Sequence, residues 1–104
     1  MKICLIEPPK FVSLTNFVST ISMAPIGLAY IAAAIREEGH DVVVVDGPGS
    51  APRNYHIFKD EIRVRGLTQE QIIERIPSDS QIIGLGCMFT SHWVYVRELV
   101  FKIR

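Results

Sequence analysis

The chain has 104 residues, 48% of them hydrophobic, with 11 Lys plus Arg balancing 11 Asp plus Glu. One domain at most fits that length, and zero net charge without a basic cluster argues against a nucleic-acid binder. Two cysteines within apolar runs, no signal peptide and no run near about 20 apolar residues point to a reduced, cytoplasmic chain without a membrane span.

Lys2-Ile3-Cys4-Leu5-Ile6 reads as the first strand, and Glu7-Pro8-Pro9 stops it because proline cannot donate to a ladder. Residues 11–23 mix hydroxyl and apolar side chains without a period. They are expected to form a loop, either bland or acting as a lid over the sheet edge. From Ala24-Pro25 to Gly39 the pattern predicts a helix, with Leu28, Ile31, Ala32 and Ile35 on one stripe. Gly27 disfavours that helix, and close packing on a sheet is the expected reason for it, with ligand approach as the other.

His40-Asp41-Val42-Val43-Val44-Val45-Asp46 reads as a second, fully buried strand, and residues 47–52 as turn chemistry. Asp46, at the carboxyl end of that strand, is either a solvated acid or an acid placed to meet a ribose. Residues 53–66 are compatible with a short β-ribbon or edge strand. Thr68-Gln69-Glu70-Gln71 is a capping box that opens a helix from Gln69 to Ile76, with Ile72, Ile73 and Ile76 toward the sheet. Gln81 to Ser91 then holds the third strand, read as buried on both faces. Gly84 and Gly86 leave one side of it bare, so a helix or a ligand is expected close by. Thr90 or Ser91 should cap a last helix whose Trp93, Val96, Leu99, Val100 and Ile103 form an apolar stripe.

The order of elements predicts an α/β fold: a Rossmann-like parallel sheet with strands in the order 2-1-3 and flanking helices. Three strands are few for such a sheet. Residues 1–104 are therefore expected to be a single, truncated domain, the N-terminal piece of a larger protein whose next strand pairs with residues 82–87.

Spacing removes several chemistries. No glycine-rich dinucleotide loop follows the first strand, and no G-x-x-x-x-G-K-[ST] occurs. A receiver-type acid cluster is lacking, and no Arg follows Cys87 closely enough for a thiol phosphatase. Cys87 reads as a small buried apolar residue, and His92 as a solvated residue in the first turn of the last helix. His40, His56 and His92 show no metal-ligand spacing. What remains is a binding edge rather than a reaction centre. It comprises Pro8, Pro9, the 11–23 loop, Asp46, Gly47 and the run Gly86, Cys87, Met88, Phe89, Thr90 and Ser91, and it suits a large or extended cofactor.

Glu7-Pro8-Pro9, Ala24-Pro25-Ile26-Gly27-Leu28-Ala29-Tyr30-Ile31-Ala32, Glu38-Gly39-His40-Asp41-Val42, Asp46, Gly66-Leu67-Thr68 with Ile72, and Ile83 to Ser91 with Trp93 together resemble one family. It is the N-terminal cobalamin-binding domain of B12-dependent radical SAM proteins, and the likeness spans nearly the whole chain. The resemblance implies a corrinoid whose nucleotide tail lies at the carboxyl edge of the sheet, in a methyltransferase or cyclase type of enzyme. S-adenosylmethionine and a 4Fe-4S iron-sulfur cluster would belong to a downstream radical SAM domain, since C-x-x-x-C-x-x-C is absent here. Related B12 domains carry D-x-H-x-x-G after the first strand, where this chain reads Glu7-Pro8-Pro9-Lys10-Phe11-Val12, without a cobalt-ligating His. Their S-x-L motif aligns with Gly86-Cys87-Met88, leaving Thr90 or Ser91 to replace the serine hydrogen bond. A later Gly-Gly motif would lie past Arg104, so residues 1–104 alone are expected to bind cobalamin weakly or not at all. A non-catalytic Rossmann-like module for a nucleotide or partner protein is the alternative.

Overall fold

The structure, a computed structural model, describes residues 1–12, 25–59, 62–87 and 90–104. Strands β1 (Lys2–Glu7), β3 (Asp41–Asp46) and β6 (Ile82–Leu85) form a parallel sheet in the order β3-β1-β6. This is the 2-1-3 order expected from the sequence. Lys2–Glu7 pair in register with Asp41–Asp46, and Ile3–Ile6 with Ile82–Leu85. A central position makes β1 the most buried strand, because both its faces are covered.

Alternation along β1 divides the core between those faces. Ile3 and Leu5 join Val42 and Ala32 beneath helix α1 (Ile26–Glu37), with Leu28 and Ile35 packed against them. Cys4 and Ile6 point the other way, into a cluster with Val45, Leu67, Ile72, Tyr95 and Leu99. Helices α3 (Gln69–Arg75) and α4 (Trp93–Ile103) supply Ile72, Tyr95 and Leu99 to that cluster. Helices thus cover both faces of the sheet.

The capping box is present as read: Gln71 N–H donates to Thr68 Oγ1 at 3.2 Å, and Thr68 N–H to Gln71 Oε1 at 2.9 Å. The ribbon reading of residues 53–66 also holds. Strands β4 (Tyr55–Lys59) and β5 (Ile62–Arg65) pair antiparallel, with an irregularity between Ile57 and Lys59. A further strand, β2 (Lys10–Val12), joins them in the order β2-β5-β4. The sequence gives little sign of β2, because three residues next to two prolines carry no period. The rest of the 11–23 loop, with its lid reading, lies outside the described residues.

Several expectations are corrected. Strand β3 is not fully buried, since Val43 and Val44 are half-exposed. Residues 47–50 form a short helix, α2 (Gly47–Ser50), because the Asp46 carboxylate accepts a 2.9 Å hydrogen bond from Gly49 N–H. Strand β6, at the edge that the 2-1-3 order assigns it among the described residues, is not buried on both faces: Ile82 is 48% exposed. The cap position of α4 is held by His92, in helical geometry, rather than by Thr90 or Ser91; a 3-10 turn (Thr90–His92) leads into the helix. Trp93 is 51% exposed, and Tyr95, absent from the expected stripe, is buried instead. The turn rotates the helix so that Tyr95, Val96 and Leu99 face inward.

Tyr95 packs against Phe58 with ring centroids 4.8 Å apart. Its hydroxyl is buried and has no hydrogen-bond partner among the described residues. Burial, then the charges of Glu70 and Glu98, pushes its pKa upward and keeps it protonated. Tyr95→Phe removes an unsatisfied polar group while keeping the ring, so a gain of about 1 kcal/mol is expected. Urea denaturation of the two proteins measures it, and a clear loss would reveal a hydrogen bond to that hydroxyl.

Candidate functional site

Parallel α/β sheets bind ligands beyond the carboxyl ends of their strands. At that end a cavity of about 310 Å³ is lined by Glu7, Pro8, Lys10, Gly27, Leu28, Ile31, Gly86, Cys87 and His92. The chain after β1, the first turns of α1 and the chain after β6 converge on it. Its volume is at the lower end of small-molecule sites, which run from about 300 to 1,000 Å³.

One wall is apolar. Pro8 ends β1 and is buried against the sheet edge, while Leu28 and Ile31 of α1 complete the surface. Ile31, read as a core residue, is 50% exposed because it faces this space. The remaining lining includes polar side chains. Lys10 Nζ lies 3.3 Å from Glu7 Oε1, a partly exposed ion pair that orients both side chains more than it stabilises the fold. His92 is half-buried rather than solvated, its ring edge-on to Phe11 with centroids 4.5 Å apart. Desolvation, then the Lys10 charge, lowers its pKa against the opposing pull of Glu7. A neutral imidazole at the rim can both donate and accept a hydrogen bond.

Cys87 is exposed and lines the cavity, contrary to its reading as a buried apolar residue. The strand ends one residue before Gly86, so position 87 has already left the packed layer. The bare side of β6 is explained in part by its neighbour. A Cβ at Gly84 would come within 2.9 Å of Leu5 Cδ2, so the glycine makes room for the side chain of the adjacent strand, neither a helix nor a ligand. A Cβ at Gly86 would lie 3.3 Å from Glu7 Oε2, at the edge of the cavity.

The sequence-derived site is therefore distributed. Pro8, Gly86 and Cys87 come together around the cavity. Pro9 is fully buried, and Gly47 packs so closely that a Cβ would stand 2.6 Å from Glu7 O and 3.0 Å from Pro9 N. Asp46 caps α2. Thr90 is exposed in the 3-10 turn that also contains Ser91, while Met88 and Phe89 lie outside the described residues. Glu7, Lys10, Gly27, Leu28, Ile31 and His92 line the cavity without having been singled out as site residues. Two signals pointed there: Gly27, a glycine within a helix, and His92, just past the carboxyl edge of the sheet.

The comparison with known proteins gives one relation. A 47-residue stretch, 45% of the chain, is 47% identical to part of an uncharacterized methyltransferase, PH0819, of Pyrococcus horikoshii. That relative is named a methyltransferase. The matched stretch covers 10% of it, so the chain spans only a small part of the length of the curated relative it matches. No family model matches the chain, and no solved structure matches it. Among the described residues, no three His, Cys, Asp or Glu side chains could hold a metal ion, and no helix is long and apolar enough to cross a membrane.

Proposed function

We propose that the chain is the cobalamin-binding portion of a B12-dependent radical SAM enzyme of the methyltransferase or cyclase type. The observation that carries this reading is the cavity at the carboxyl end of the parallel sheet, walled by Pro8, Leu28 and Ile31 and bare at Gly27. The likeness to a methyltransferase supports it from outside the structure.

Fit can be judged from size and lining. About 310 Å³ accommodates a flat heteroaromatic base with part of its sugar and excludes a whole corrin ring, which would sit over the mouth. Apolar walls suit the faces of such a base, and Glu7, Lys10 and His92 suit its polar edge. When bound, a corrinoid supplies one-carbon or radical chemistry that side chains do not provide. The residues of this chain bind and orient; S-adenosylmethionine and an iron-sulfur cluster belong, in this reading, to a radical SAM domain of the same protein. A further parallel strand would pair along β6, whose open side faces a groove of about 300 Å³ between Ile83, Leu85, Val100 and Ile103.

The test is to express the complete reading frame that contains these residues, purify it with hydroxocobalamin, and record visible spectra after desalting. Retained corrinoid absorbance is the expected result. Its absence under all conditions sinks the reading, and selective retention of a nucleotide over cobalamin would favour a nucleotide-binding module.

A further inference from the structure

Gly27 is the only glycine of α1, and neither common structural reason for a helical glycine applies to it. Its backbone is not in the left-handed region: the positive-φ glycines of the described residues are Gly39 and Gly66. Among the described residues it is not needed for packing either, because a Cβ built there meets none of their atoms within 4 Å. The expected close approach of α1 to the sheet is made instead by Ala32, which is buried beside Ile3, Leu5 and Val42. Glycine forfeits helical propensity at this position. The open space above its Cα is the cavity itself.

Resting on the reading of this cavity as a ligand site, we infer that Gly27 is its specificity-determining residue. The bare Cα lets the flat ring of a heteroaromatic ligand, such as the base of a corrinoid's nucleotide tail, lie against the backbone of α1. Leu28 and Ile31 then meet the same ring through their side chains, and Pro8 closes it from the sheet side. A ring and a protein carbon in contact are separated by about 3.5–4.0 Å. A side chain at position 27 would occupy that layer and exclude the ring while touching nothing else among the described residues. Gly86, which also lines the cavity, is a weaker candidate because its own surroundings already restrict a Cβ.

Gly27→Ala and Gly27→Leu, made in the complete reading frame, separate the two roles a glycine can have. Without ligand, both variants are expected to melt at or above the wild-type temperature, since they regain helical propensity and meet no clash. Hydroxocobalamin should bind about 10-fold more weakly to Gly27→Ala, with a larger loss for Gly27→Leu, within the range that single added carbons produce in shaped pockets. Cobinamide, which keeps the corrin but lacks the base, should bind wild type and variants equally. A lowered melting temperature would show that the glycine serves the fold and would overturn the inference. Equal hydroxocobalamin affinities in all three proteins would overturn it too, while leaving the corrinoid reading standing. If wild type binds no hydroxocobalamin, the corrinoid reading fails and this assignment fails with it.

Discussion

Gly66→Ala is expected to cost about 3–5 kcal/mol, a large share of the roughly 5–15 kcal/mol that holds a domain together. Two effects add. Gly66 has φ +136°, a conformation a side chain adopts only with strain, about 1–3 kcal/mol. A Cβ there would also stand 2.7 Å from Gly47 O and 2.9 Å from Pro9 Cβ. Overpacking of this kind costs about 1–3 kcal/mol more. The backbone cannot easily move aside. Gly66 N–H donates to Asn54 O at 2.9 Å, Asn54 Nδ2 donates back to Gly66 O at 2.9 Å, and Leu67 N–H donates to Gly47 O at 2.9 Å. These contacts fasten the ribbon to the end of the parallel sheet, directly beside Glu7-Pro8 and the cavity. Gly39→Ala is the control, because Gly39 has φ +90° but open surroundings. It should lose only the conformational part. Urea midpoints for the two variants give the packing part by difference, and equal losses would mean that Pro9, Gly47 and Gly66 are not stacked as described.

Leu99→Ala should cost about 2–5 kcal/mol, the usual range for emptying a buried leucine site. Leu99 is fully buried among Cys4, Ile6, Ile72 and Tyr95. Its neighbours belong to a strand and to two helices, so none of them can close the void without shifting the others. Phe101, on the same helix, is 65% exposed, and its replacement by alanine should change stability by about 0.5 kcal/mol or less. The contrast fixes the rotation of α4 by equilibrium unfolding. A large loss at Phe101 with little at Leu99 would place the helix the other way round.

Much of the architecture is legible in the residues because local rules and tertiary demands agree. Lys2–Ile6, Val42–Val45 and Ile82–Leu85 are short apolar runs closed by proline, glycine or polar residues, and each becomes a strand of the parallel sheet. Thr68 and Gln71 make a cap that depends only on neighbours three residues apart. The ribbon was legible as a possibility, since alternation around Ile62-Arg63-Val64-Arg65 carries the strand period.

The candidate site was legible only in outline. The carboxyl edge follows from strand direction, and Pro8, Gly86 and Cys87 do meet there. Distances across the chain decided the remainder. Cys87 and His92 were misjudged because burial depends on where β6 ends and how the 3-10 turn leads into α4, a matter of one or two residues. Trp93 and Tyr95 are two positions apart, and a small rotation of α4 exchanges which of them is buried.

By itself, then, the sequence determined the α/β class and the 2-1-3 strand order, because hydrophobic period and right-handed crossover act on segments one at a time. Only the tertiary structure decided why each glycine is there. Gly84 yields to Leu5, Gly47 to Glu7 and Pro9, and Gly66 to Gly47 and Pro9, while a Cβ at Gly27 meets none of the described residues. A glycine's reason lies in what stands opposite it, and residues from distant parts of the chain supply that.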